Sequence, residues 1–231
     1  MTVFSPRLEI LPPAQRKLWS DLAPASRLGL VLYGGTAVAL RLGHRSSVDF
    51  DFFSDHPLGL AVLREAFGFL RRATVLLQEA NSLTVLVEGK SSGETVKLSF
   101  FGGLKTGRVG HPSMTDDGFL EVASLDDLMA TKLKVIMQRS EAKDYRDLAA
   151  MIASGADLGR GLAAASRLYG AAFQPSVGLK ALTYFGDGDL ESLPAREQET
   201  LIAAAAAIRD LPSVRRRSTR LSARIEGTKR R

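Results

Sequence analysis

Asp49 and Asp51 stand two residues apart in the segment Val48–Phe53, VDFDFF. Side chains alternate across a strand, so the two carboxylates share one face, about 6.6 Å apart along the chain, while Phe50 and Phe52 turn to the other. Two carboxylates on one face repel each other unless a cation lies between them. Mg²⁺ takes oxygen ligands, with one or two carboxylates plus substrate phosphates as a common set. Two such ions roughly 3.5–4 Å apart can clamp an in-line displacement at phosphorus. The chemistry on offer is therefore metal-assisted transfer of a phosphorus-centred group.

A second group of residues precedes the acidic strand. Gly34-Gly35 lets backbone N–H groups approach a polyphosphate without obstruction by a β-carbon. Thr36 opens the helix that follows, where unsatisfied N–H groups and the helix dipole favour an anion. His44 and Arg45 lie just before the acidic pair. Arg suits two-pronged binding of a phosphate.

A third group lies downstream. On the predicted helix Ser124–Gln138, Leu125, Leu128, Met129, Leu133, Ile136 and Met137 form an apolar face. Lys132 falls inside that face and Lys134 on the opposite side. An inward ammonium needs an anionic partner, and three are open: a triphosphate, Asp144 or Asp147. Asp144 and Asp147 neighbour each other on one helix flank. They are expected either to orient Lys132 or to act as base for an incoming hydroxyl. The alternative is a surface pair balanced by Lys143 and Arg146.

The elements that must hold these residues follow from pattern. Leu28–Tyr33 reads as a short buried strand, Thr36–Leu42 as a helix and Val48–Phe53 as a strand. Pro13 opens a helix through Leu22, which Pro24 ends. Gly59–Arg72 is amphipathic and predicted helical. Thr74–Glu79, Leu83–Val87 and Val96–Phe101 are predicted strands, the last two joined through Glu88-Gly89 and Gly93. Residues 102–118, rich in Gly and Pro, read as loop. Ser124 is placed as an N-cap. Further helices are expected at Glu141–Ala153, Gly161–Tyr169, Val177–Phe185 and Pro194–Leu211. The fold class is α/β (α+β), with a mixed-sheet core over 1–120, a helical region over 121–211 and a basic, disordered tail over 212–231.

Composition narrows the classes. The 231 residues contain no cysteine, which excludes disulfides, a thiolate nucleophile and Cys-ligated zinc. No segment approaches the roughly 18 apolar residues needed to span a bilayer. No signal peptide is recognised at MTVFSPRLEILPPAQRK, and a cytoplasmic location is expected. His44, His56 and His111 are not at metal-ligand spacing, and Phe185–Asp189 reads as a turn. The net charge of +6 is uneven: from Pro212 onward eight basic residues face one acid, a local +7, which leaves the other 211 residues at −1. A basic tail can hold RNA through counterion release.

Gly35-Thr36, twelve residues, then Asp49-Phe50-Asp51 resembles the Gly-Ser/Thr…Asp-x-Asp signature of polymerase-β-like nucleotidyltransferases. The string GGTAVALRLGHRSSVDFDFF is similar to the AbiEii/AbiGii-type toxin nucleotidyltransferases. So is the block Ser124–Ile152, with its helical Lys and the run Lys143-Asp144-Tyr145-Arg146-Asp147-Leu148. The resemblance covers about residues 28–155. It implies Mg²⁺ (or Mn²⁺) at Asp49 and Asp51, and an NTP held by Gly34, Gly35, Thr36 and Arg45. Lys132 would stabilise developing charge, with Asp144 or Asp147 orienting Lys132 or the nucleophile. It implies transfer of a nucleoside monophosphate to a hydroxyl, with RNA or tRNA as acceptor. Such an enzyme would be a toxin of a toxin–antitoxin or phage-defence system, with a cognate antitoxin as partner. One departure stands out. The family usually carries a third acid on a later strand, where this chain offers Lys97, placed to contact phosphate, and Ser99. Two other readings fit the residues: a phosphotransferase or protein-modifying enzyme with the same metal site, and a catalytically weak RNA-binding or regulatory protein.

Overall fold

Asp49–Phe53 forms a strand in which Phe50 and Phe52 are fully buried and Asp49, Asp51 and Phe53 are half-exposed. The computed structural model describes residues 2–89 and 94–224. Eight strands build one mixed sheet: β1 (Thr2–Phe4), β2 (Val31–Tyr33), β3 (Asp49–Phe53), β4 (Thr74–Glu79), β5 (Ser82–Glu88), β6 (Thr95–Phe101), β7 (Ser113–Thr115) and β8 (Glu121–Val122). Their order is β1-β7-β8-β2-β3-β6-β5-β4, with β3 near the centre. β2 runs antiparallel to β3, and β6 runs parallel to it on the other side. The sheet belongs to a first compact unit, which contains residues 2–107, 111–123 and 218–224 of the described chain.

The buried face of that sheet is aromatic. Phe52 stacks on Phe100 at 5.4 Å between ring centroids, and Phe67 and Trp19 close on Phe100 and Phe50 at 5.6 and 6.4 Å. Such pairs prefer these offset and tilted arrangements and hold the strands in register beyond simple area burial. Helices α1 (Pro13–Leu18), α2 (Pro24–Arg27), α3 (Gly34–Leu42) and α4 (Leu60–Ala66) complete this unit.

Several expectations are refined here. Pro24 does not only end a helix: it opens α2 at a position where its missing N–H costs nothing. The helix expected over Gly59–Arg72 breaks at Phe67, whose backbone turns extended (φ −107°, ψ 93°) before a 3-10 turn at Gly68–Arg71. Phe67 is fully buried against Phe100, and Gly68 is a poor helix former. Residues 102–118 are not all loop, since β7 pairs there with β1 and β8. Strands of two or three residues are too short to show alternation in the sequence. The β5–β6 connection expected through Gly93 lies partly outside the described residues.

The second unit comprises residues 108–110 and 124–217. It holds α5 (Leu125–Val135), α6 (Ala142–Ala153), α7 (Leu158–Tyr169), α8 (Pro175–Leu182) and α9 (Ala195–Ala207). Ser124 caps α5 as expected, its hydroxyl accepting from the Asp127 N–H at 3.1 Å. The Asp127 carboxylate accepts from the N–H groups of Val109 and Gly110 at 2.8 and 3.1 Å, and burial raises its pKa. The first turn of α6 is satisfied from a distance, the Ala142 N–H donating to Asp189 at 2.6 Å. Asp189 is part of the Phe185–Asp189 turn.

The basic segment after Pro212 does not hang loose throughout its described part. Leu221 and Ser222 are buried. The Ser222 hydroxyl and Ala223 N–H each donate to the fully buried Glu121 carboxylate at 2.6 Å. Glu226, Lys229, Arg230 and Arg231 lie outside the described residues. No helix among those described is long and apolar enough to cross a membrane.

Candidate active site

The end of β2 carries the glycine turn to the acidic strand. Tyr33 is the register partner of Asp51. The next residue, Gly34, adopts φ +73°, and a β-carbon there would overlap the Asp51 carboxylate. Only glycine satisfies both the left-handed backbone and the close approach. α3 starts at Gly34 rather than at Thr36, and no side chain caps its first turn. Its backbone N–H groups and the positive end of its dipole thus begin beside a carboxylate.

Thr36 points inward and is buried. Its hydroxyl donates to the Asp49 carbonyl oxygen and shares a 2.7 Å hydrogen bond with the Ser47 hydroxyl. The turn is therefore pinned to the acidic strand through Thr36. Arg41, in the last turn of α3, ties the helix to the sheet. Its guanidinium donates to the carbonyls of Val122 and Ala123 at 2.8–3.0 Å and lies 4.5 Å over the Phe4 ring. Burial lowers its pKa to about 10.

On the other side of β3 the parallel register pairs Asp49 with Lys97 and Asp51 with Ser99. The Lys97 ammonium lies 3.2 Å from an Asp49 oxygen, with both side chains partly exposed (40% and 31%). Arg45 donates to the neighbouring Ser46 carbonyl at 2.9 Å. Gly34, Gly35, Thr36, Asp49, Asp51 and Lys97 are thus gathered around the junction of β2, α3, β3 and β6 within one unit.

The donor set at this junction suits a hard divalent cation. It offers two carboxylates on one face, partly open to solvent, against a glycine with no side chain to fill the space. Among the described residues no group of three or more His, Cys, Asp or Glu side chains forms a closed metal cage. Mg²⁺ is typically held in the same open way, by one or two carboxylates with substrate phosphates completing its shell.

Lys132, Asp144 and Asp147 form their own cluster in the helical unit. The Lys132 ammonium on α5 lies 2.6 Å from both an Asp144 and an Asp147 oxygen on α6. Both carboxylates are fully buried and Lys132 nearly so. Arg139 adds a charge-assisted hydrogen bond to the second Asp144 oxygen at 2.9 Å. Two of the partners open to Lys132 from sequence, Asp144 and Asp147, lie against it. Sequence reasoning missed Arg139 and Ser47. Arg139 lies in an irregular stretch between α5 and α6 that carries no periodic signal. Ser47 precedes the acidic strand as one of two adjacent serines, with nothing to mark which faces inward.

A family model described as the nucleotidyl transferase AbiEii toxin of a type IV toxin–antitoxin system matches residues 17–217. An uncharacterised protein of Aquifex aeolicus is 33% identical over 119 residues, covering 51% of this chain and 54% of its own length. The chain thus spans about half the length of that curated relative. Among solved structures, MenT4, a nucleotidyltransferase toxin from Mycobacterium tuberculosis H37Rv, shares the fold with a TM-score of 0.58 at 15% identity. That match covers 85% of this chain and 84% of MenT4. A candidate nucleotidyltransferase from H. pylori aligns with a TM-score of 0.52 at 20% identity, covering 84% of this chain and 90% of its own. The mixed sheet, the glycine turn and the paired aspartates are accompanied by a model match over most of the sequence, and the chain belongs to the AbiEii family of nucleotidyltransferase toxins.

Proposed function

We propose that the protein transfers a nucleoside monophosphate from an NTP to a hydroxyl acceptor, with RNA or tRNA as the acceptor class. Asp49 and Asp51 would hold Mg²⁺ (or Mn²⁺). One observation carries this reading: the Gly34 backbone lies directly against the Asp51 carboxylate, on the face that Asp49 shares. A polyphosphate laid across Gly34-Gly35 would meet the start of α3 and the acidic pair together. A divalent ion held by Asp49 and Asp51 would supply charge neutralisation at the phosphates.

The chain's own residues do the rest. The first-turn N–H groups of α3 bind phosphate oxygens. Thr36 fixes the distance between turn and acidic strand through the Asp49 carbonyl. Lys97, with a water-facing side, neutralises charge on the phosphates as it now does on Asp49. Arg45 adds a further phosphate contact at the rim. Lys132, Asp144 and Asp147 neutralise one another inside the helical unit and hold α5 to α6. The arginines after Pro212 favour a polyanionic acceptor. The family's description supports a cognate antitoxin as partner, and a cytoplasmic setting suits NTP as substrate.

The test is incubation of the full chain with each α-labelled NTP, Mg²⁺, total RNA and total protein, followed by gel separation and mass analysis. Label in RNA, with the mass of a nucleoside monophosphate added, is expected, and Asp49→Ala or Asp51→Ala should abolish it. Label from γ-labelled NTP alone would replace this reading with phosphotransfer. Label in protein would move the acceptor, and unchanged transfer by Asp49→Ala would overturn the site.

A further inference from the structure

The register between β3 and β6 places two residues beside the acidic pair on the same face: Lys97 next to Asp49, and Ser99 next to Asp51. Neighbouring residues of a parallel pair project to the same side of the sheet, so these are positions from which a third carboxylate would complete a site for two ions. Neither is acidic. Ser99 is buried, and its hydroxyl lies 3.5 Å from that of Thr84 on β5. Lys97 brings an ammonium to 3.2 Å from Asp49.

We propose that Lys97 supplies the positive charge that a second divalent ion would otherwise bring, and that the pocket takes a single divalent ion together with its nucleotide. The inference rests on the reading of Asp49 and Asp51 as the metal-holding pair. Two divalent ions roughly 3.5–4 Å apart need shared anionic ligands to offset their repulsion. Here the strand beside the pair contributes a neutral hydroxyl and a cation, so a second ion would meet an ammonium instead of a ligand. That ammonium is only partly buried. It can keep its contact with Asp49 and still turn a donor toward a phosphate oxygen, since Lys carries three rotatable donors on a flexible stem. A single ion and a lysine then share the charge of the bound triphosphate.

The experiment counts bound Mn²⁺ per chain by electron paramagnetic resonance and calorimetry. It uses the full chain and an α,β-methylene analogue of each of the four NTPs in turn. The native chain is expected to bind one ion with the nucleotide analogue. Lys97→Asp, which removes the ammonium and adds a carboxylate at a half-exposed position, is expected to bind two. Lys97→Met is expected to keep a count of one and to bind Mn²⁺ several-fold more tightly without nucleotide, because Asp49 is no longer shared with an ammonium. A salt bridge of structural value alone would change stability without changing either reading. Two ions in the native chain, or one in Lys97→Asp, would overturn the inference and leave the nucleotidyltransferase site standing. No Mn²⁺ in the native chain would instead sink the reading of the aspartate pair itself. Where circular dichroism shows that Lys97→Asp has not folded, the native count and the Lys97→Met affinity decide: two ions in the native chain, or an unchanged Mn²⁺ affinity in Lys97→Met, overturn the inference.

Discussion

Gly34 and Asp51 are in such close contact that the space a β-carbon would need at position 34 is already taken by the Asp51 carboxylate. Gly34→Ala must therefore displace the carboxylate or the turn, and it also forces a side chain into a left-handed backbone at φ +73°. The strain costs about 1 kcal/mol. Displacement of a reacting group by about 1 Å can cost on the order of 100-fold in rate. Gly34→Ala is expected to lose transfer activity by that order while its thermal midpoint falls only a few degrees. A variant that keeps full activity would remove the turn from the site.

Thr36 shows how the turn is held. Thr36→Val keeps the shape and deletes the hydroxyl, leaving the Asp49 carbonyl and Ser47 without their buried partner. A loss of about 1–2 kcal/mol is expected in urea denaturation, with Thr36→Ser close to the native chain. Equal stability of Thr36→Val and Thr36→Ser would contradict this role.

Lys132→Met removes the ammonium that two buried carboxylates share in the helical unit, while Arg139 stays on Asp144. Breaking a buried ion pair from one side costs about 3–5 kcal/mol, whereas neutralising all its members is often tolerated. Lys132→Met is expected to be strongly destabilised in denaturant, and the triple variant with Asp144→Asn and Asp147→Asn is expected to recover most of the loss. A single variant as stable as the native chain would mean the carboxylates are not buried as charges.

Tyr145 gives the helical unit a signature at high pH. Burial first, then the negative charges of Asp144 and Asp187, push its hydroxyl up to about 12, and the hydroxyl donates to the Ala181 carbonyl at 3.0 Å. Between the ordinary tyrosine value near 10 and that raised value, the folded chain keeps a proton that the unfolded chain releases. Stability therefore falls as pH rises through this window. Tyr145→Phe should flatten the fall in melting temperature above pH 10. Burial raises Tyr169 as well, so absorbance at 295 nm should show one fewer tyrosine titrating late in the variant than in the native chain.

The candidate site residues were more legible than the frame that surrounds them. Asp49 and Asp51 lie on the alternating strand that their spacing predicts, and the turn preceding α3 meets them. Ser124 caps its helix because a short-range motif carries its own geometry. The edge strand β1 and its neighbour β7 left no trace, since three residues paired across more than a hundred positions show no local period. The inward turn of Thr36 was hidden for a related reason. Its partners, Ser47 and the Asp49 carbonyl, come into reach only once β3 has docked beside α3. Arg139 and Asp189 likewise act through partners fixed by tertiary packing.

Glu121 accepts its hydrogen bonds from Ser222 and Ala223, so the sheet unit is stitched together by partners 101 and 102 residues apart in synthesis. While the ribosome is still extending the helical unit, β8 holds a carboxylate whose two donors have not yet been synthesised. A nascent chain halted at Arg217 should therefore be more easily cleaved by protease around β8 than the released protein. The activity proposed here would then wait on residues 222 and 223, a delay written into chain order.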